Sequence, residues 1–267
     1  MQIFINIDYS IFYKLIGARL KIGICKYCGK KTEIIKSHVI PKCFCKIKEL
    51  GTWGDVNLNK KKIDRAPDQQ NGIKEYLLCK ECDNLLGKLD DLAYKILCFR
   101  TSKIEAEIIM DVKCLQLQLN EKEYKDFRKF FISLLWRASL TTKPIPLGKY
   151  QNIALQILKD EIEDDEDLFL PLLYKKTTGT ASDHFLGIWG TKYLGKHTYI
   201  IRFPDYEIRI IANTKNSNND NMMKFHKSCF NKNKILIPLV EKKTPMDIQL
   251  TRSFIDCRNN THFKNLK

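Results

Sequence analysis

Cys25-Lys26-Tyr27-Cys28-Gly29, Ser37-His38-Val39-Ile40-Pro41 and Leu78-Cys79-Lys80-Glu81-Cys82-Asp83-Asn84 are the segments on which the fold of this chain turns. Each C-x2-C pair offers two thiolates from one tight turn, and two such pairs complete the tetrahedral sphere of a zinc ion. The spacing therefore predicts a structural zinc site made by Cys25, Cys28, Cys79 and Cys82. His38 lies between the pairs, inside whatever small fold the ion holds together, which makes it the first candidate for chemistry.

The bulk composition sets the frame for that site. A chain of 267 residues with 44% hydrophobic residues can bury a real core as one large domain or two modest ones. The formal charge of +15 favours a polyanionic partner, because clustered Lys and Arg displace counterions from phosphates. Residues 1–103 hold 20 Lys and Arg against 11 Asp and Glu, residues 104–200 hold 13 against 14, and residues 201–267 hold 13 against 6. The positive charge thus sits on the cysteine-bearing region and on the tail, and the −2 of a zinc tetrathiolate (about −2) leaves the first region basic.

Ten cysteines would suggest disulfides in a secreted chain. Here the first residues lack the basic and apolar pattern of a signal peptide, and no run reaches the length of a membrane span. A reducing cytoplasm is the expected location, where C-x2-C pairs read as metal ligands before disulfides. The cysteines at 43, 45, 98, 114, 229 and 257 read as small buried hydrophobes.

Residues 1–24 form an N-terminal extension that suits a strand or a short helix. Gly23 to Val39 reads as a zinc knuckle followed by a β-hairpin, with Pro41 ending its second strand. Residues 46–72, rich in Lys, Asn, Asp and Gly, read as a loop insertion. Apolar residues at helical spacing predict helices over 80–98, 121–140 and 150–162, the last closed by the acidic run Glu161 to Asp167. That run suits a solvated loop or a mask over a basic surface. Ile104 to Leu119 predicts a strand pair. Further strands are expected at 185–189, 198–203, 207–212 and 235–240, with an Asn-rich stretch at 213–221. His226-Lys227-Ser228-Cys229 offers only half of a metal site.

The pattern C-x-Y-C-G, then Ser37-His38-Val39-Ile40-Pro41, then Leu78-Cys79-x-x-Cys82-Asp83, resembles the zinc-stapled branch of the HNH endonucleases. The likeness covers residues 25 to about 98. It implies an α+β chain: an N-terminal ββα-metal, HNH-like, treble-clef zinc module over 25–100, followed by a mixed α/β C-terminal domain over 101–267. It also implies a metal-dependent endonuclease that hydrolyses DNA phosphodiester bonds, with RNA left open, in a restriction, mobile-element or phage-defence setting. In that reading the four cysteines hold the zinc, His38 is the general base and Asn71 orients it. Asp83, with Asn84 as a lesser candidate, helps bind a catalytic Mg2+ or Mn2+ ion, since hard cations take oxygen ligands. Asp83 near a first helical turn equally suits a capping carboxylate with no metal. Ser37 departs from the family, which commonly has a metal-binding Asp, Glu or His before the catalytic histidine. The alternative is a catalytically inactive, zinc-stabilised nucleic-acid-binding or regulatory protein, with the C-terminal domain as a site for a protein partner.

Overall fold

The first cysteine pair sits inside a β-hairpin rather than ahead of one. β1 (Ile22–Ile24) and β2 (Lys31–Glu33) pair antiparallel, with Ile22 opposite Glu33 and Ile24 opposite Lys31. Gly29 closes the turn between them at φ 75°, a left-handed conformation that costs glycine little. The computed structural model describes residues 21–45, 74–109, 112–142, 144–176, 187–193, 195–203, 205–215, 221–232 and 234–240. The insertion expected at 46–72 and Asn71 lie outside the described residues, as do most of the N-terminal extension and positions 216–220 of the Asn-rich stretch.

The hairpin expected after the knuckle, with Pro41 ending its second strand, does not form. β3 (Ile35–His38) instead pairs antiparallel with β4 (Lys74–Leu78), placing His38 opposite Lys74 and Lys36 opposite Tyr76. This long-range pairing has no local turn signal, so its partner was not readable from neighbouring residues. The register shifts between Ile35 and Lys36, and the skipped Leu77 turns its carbonyl outward to accept the Lys26 amide at 2.9 Å. The irregularity thereby ties the knuckle to the ribbon.

Directly after β4, Cys79 caps α1 (Lys80–Tyr94), which opens into a wider π-helical turn over Lys95–Arg100. The widened turn leaves the Leu97 carbonyl to accept from the Tyr206 hydroxyl at 2.6 Å and from Thr101 Oγ1 at 2.5 Å. β5 (Ala106–Ile109) and β6 (Val112–Leu117) form the strand pair expected there. α2 (Glu121–Ser139) starts with a reciprocal capping box between Asn120 and Glu123. Its predicted apolar face of Phe127, Phe130, Phe131, Leu134, Leu135 and Ala138 is buried throughout.

α3 (Tyr150–Leu158) stops four residues before the expected end at 162. Asp160 takes φ 58°, its amide bonding the Ile157 carbonyl at 3.1 Å while the Glu161 amide bonds Gln156 at 2.9 Å. These two bonds are a Schellman stop, which overrides the apolar periodicity that Ile162 prolongs. The acidic run is a loop, exposed over residues 161–163 as expected, but its carboxylates and that of Asp160 also pair with nearby cations. Asp164 clasps Arg128 on α2 at 2.5 and 2.9 Å, Asp160 meets Lys129 at 2.5 Å and Asp165 meets Lys215 at 2.6 Å. Asp164 and Asp165 thus spend their charge on neighbouring cations.

The remaining strands are β7 (Phe169–Lys176), β8 (Gly187–Tyr193), β9 (Lys196–Arg202), β10 (Tyr206–Ala212), β11 (Phe230–Asn231) and β12 (Lys234–Val240). They join β5 and β6 in an eight-stranded sheet ordered β5-β6-β12-β7-β10-β9-β8, with β11 added to β12. Only the β12–β7 pairing is parallel, so the sheet is mixed. β7 and the helix α4 (Asn221–Cys229) were not expected from the sequence. β7 is a central strand whose residues Phe169 to Tyr174 are all buried, so it lacks the polar alternation that marks a half-exposed strand.

One hydrophobic cluster runs from Cys25 through the helices to Ile237. Phe44, just past β3, stacks on Phe203 of the sheet with ring centroids 4.3 Å apart. The Tyr27 ring stands edge-on to Trp136 at 5.9 Å, and its hydroxyl donates to the Leu158 carbonyl at 2.9 Å. Among the described residues no helix is long and apolar enough to cross a membrane.

Candidate metal centre

The knuckle, the β3–β4 ribbon and the start of α1 bring four sulfurs together. Gly29 donates its amide to the Cys25 carbonyl at 2.9 Å and Cys25 donates to Lys30 at 3.0 Å, folding Cys25 and Cys28 onto one side of the turn. Cys79 stands at the N-cap of α1 and Cys82 in its first turn. The ligand atoms of Cys25, Cys28, Cys79 and Cys82 all lie within 4.8 Å of one another. Zn–S bonds of about 2.3 Å in a tetrahedron require sulfurs ~3.8 Å apart, so the cage is the right size for zinc. Cys25, Cys79 and Cys82 are buried and Cys28 is half-buried, as a closed structural site demands.

The cysteines of the group differ in how readily they ionise. Burial pushes the Cys25 thiol up, yet backbone hydrogen bonds from Cys28, Cys79 and Tyr27 outweigh it and bring the group down to about 7. Burial raises Cys79, and burial together with the adjoining thiols raises Cys82. A thiolate at Cys25 is thus favoured while Cys79 and Cys82 resist ionising beside it. A divalent cation reverses that resistance, since coordination deprotonates each ligand. The α1 N-terminus adds its partial positive charge to the same spot.

The other predicted site residues divide into two groups. His38 ends β3, half-buried, and its carbonyl accepts from Arg137 Nη1 of α2 at 3.0 Å. Asp83 lies half-buried in the first turns of α1, with Asn84 beside it exposed. Ser37 faces the opposite way from His38 and is completely buried, its hydroxyl without a hydrogen-bond partner, so it offers no ligand to a surface ion. The tetracysteine group is the one cluster of three or more His, Cys, Asp or Glu with metal-binding spacing among the described residues. His226 and Cys229 accordingly make no second site; His226 Nε2 instead lies 3.0 Å from the Tyr193 hydroxyl. Burial raises the Cys43 thiol to about 12 and those of Cys98 and Cys229 to about 11, which keeps them inert.

Sequence reading missed a buried ion pair that adjoins His38. Arg137 on α2 grips Asp90 on α1 through Nη1 at 3.0 Å and Nη2 at 2.7 Å. Both are buried, and burial raises the Asp90 carboxyl despite the guanidinium that counters it. The available signal was Arg137 itself, a charge at a core position between Leu134 and Ala138, which requires a buried partner.

Arg137 thus links the His38 end of β3 to Asp90 on α1, while the Ile35 end of β3 pairs with Leu78, just before that helix. Asp83 and Asp90 are seven residues apart, about two turns, and share one flank of that helix. Gly87 lies between them on the same flank, and a Cβ added there would meet nothing within 4 Å. No protein-family model matches the chain, and neither curated proteins nor solved structures gave a match.

Proposed function

We propose that the protein is a zinc-stapled, metal-dependent nuclease of HNH type that hydrolyses DNA phosphodiester bonds. The observation carrying this reading is that β3, which bears His38, pairs with β4, the strand that runs directly into the helix bearing Asp83, in a module where four cysteine sulfurs converge. Histidine is the residue type suited to proton removal from the attacking water near neutral pH. Asp83, assisted by Asn84 and the substrate phosphate, would hold Mg2+ or Mn2+, which supplies charge stabilisation on the phosphate. One carboxylate and one amide are a thin donor set, so the ion would depend largely on substrate and water.

The charge arrangement supports a nucleic-acid substrate. Register places Lys36, His38, Lys74 and Tyr76 on one face of the ribbon, and the Lys21 ammonium lies 4.2 Å from the centre of the Tyr76 ring. Such a basic strip beside the histidine suits a phosphate backbone.

Plasmid cleavage tests the proposal. Zinc-loaded protein with Mg2+ or Mn2+ is expected to nick supercoiled DNA, and His38→Ala to slow nicking by about 10²–10⁴-fold. Cutting by both proteins alike, or by neither, removes the catalytic reading. The buried, ligand-incompetent Ser37 favours a second reading, a zinc-stabilised nucleic-acid-binding protein without cleavage. That protein would shift DNA in a salt-dependent manner yet leave it intact.

A further inference from the structure

Arg137 spends its whole guanidinium on three elements. Nη1 donates to Asp90 Oδ2 and to the His38 carbonyl, each at 3.0 Å, bridging α1 and β3 from a position 99 residues beyond His38. Nη2 donates to Asp90 Oδ1 at 2.7 Å and to Ser133 Oγ at 3.2 Å, while Nε reaches the Ser133 carbonyl at 3.3 Å. The side chain is 3% exposed, so water offers little competition for these bonds.

β3 needs such an anchor. It is four residues long, pairs with β4 alone, and carries a register irregularity at Ile35/Lys36. Short strands with one neighbour open readily, and the His38 end is the farther from the zinc staple. A charge-assisted bond to the carbonyl of His38 holds the backbone from which the imidazole projects.

Resting on the nuclease reading above, we propose that Arg137 is a positioning residue for His38, so that the C-terminal part of the chain completes the active site. It acts on the strand and does not touch substrate. A lysine cannot reproduce its fork, since one ammonium cannot serve both Asp90 oxygens and the carbonyl in fixed directions.

Arg137→Lys is the test, assayed as the full zinc-loaded chain on a DNA substrate with saturating Mn2+. The turnover number is expected to fall on the order of 100-fold, as sub-ångström misplacement of a catalytic group does, while KM for DNA and zinc content stay at wild-type values. Hydrogen exchange should accelerate in a peptide covering 35–40 and stay slow in one covering 25–30. An unchanged turnover number, a loss that merely follows the folded fraction, or exchange rising across the whole core would overturn the proposal. A wild-type chain that leaves DNA intact removes the nuclease reading itself. That failure is distinct from failure of the anchor, which the exchange at 35–40 decides separately.

Discussion

Replacing Cys79 with serine, or stripping the metal with a strong chelator, is expected to unfold residues 21–45 and 74–100 and to abolish zinc binding. The elements in this region are short: β1 and β2 have three residues each and β3 has four. Strands of that length do not hold themselves together. At its centre are three buried cysteines that, with Cys28, converge on one point. A structural zinc site contributes on the order of 10 kcal/mol or more at neutral pH, comparable with the whole stability of a typical domain of roughly 5–15 kcal/mol. Zinc analysis and hydrogen exchange give the readout, with Cys43→Ser as the control that should keep its metal. A Cys79→Ser protein that retains both zinc and protection in these segments would refute the assignment.

The second large effect concerns the ion pair between α1 and α2. Arg137→Met should destabilise the protein by about 3–5 kcal/mol, because it leaves the Asp90 carboxylate buried and uncompensated. It also leaves the His38 carbonyl without its charged donor. Asp90→Leu alone should cost a similar amount by stranding the guanidinium. The double variant is expected to recover most of the loss, since two apolar side chains of similar volume replace a pair whose desolvation nearly cancels its attraction. Urea midpoints of the three variants and wild type form a double-mutant cycle that yields the coupling directly. Strictly additive losses would mean that the two groups do not depend on each other.

Much of the site was legible from spacing because tetrahedral coordination imposes it. The C-x2-C pairs named the four ligands, and the helix following the second pair follows from the apolar repeat through Leu86, Leu89 and Ala93. α2 was legible for the same reason, its aromatic residues recurring with the helical period. What escaped was everything set by long-range partners. β3 chose β4 across the insertion, a pairing with no turn signal to announce it. β7 is buried on both faces and so shows no alternation, and the α3 stop at Asp160 depends on two backbone bonds that periodicity does not encode. Arg137 escaped because its face of α2 reads as core. Its charge becomes intelligible only once Asp90 and the His38 carbonyl are seen beside it.

Zinc K-edge X-ray absorption on the purified full-length chain addresses the foundation of all this most directly. The expected result is one zinc per chain with four sulfur neighbours at about 2.3 Å and no nitrogen or oxygen in the coordination sphere. A sphere containing nitrogen or oxygen, or a folded protein carrying no zinc, would contradict it.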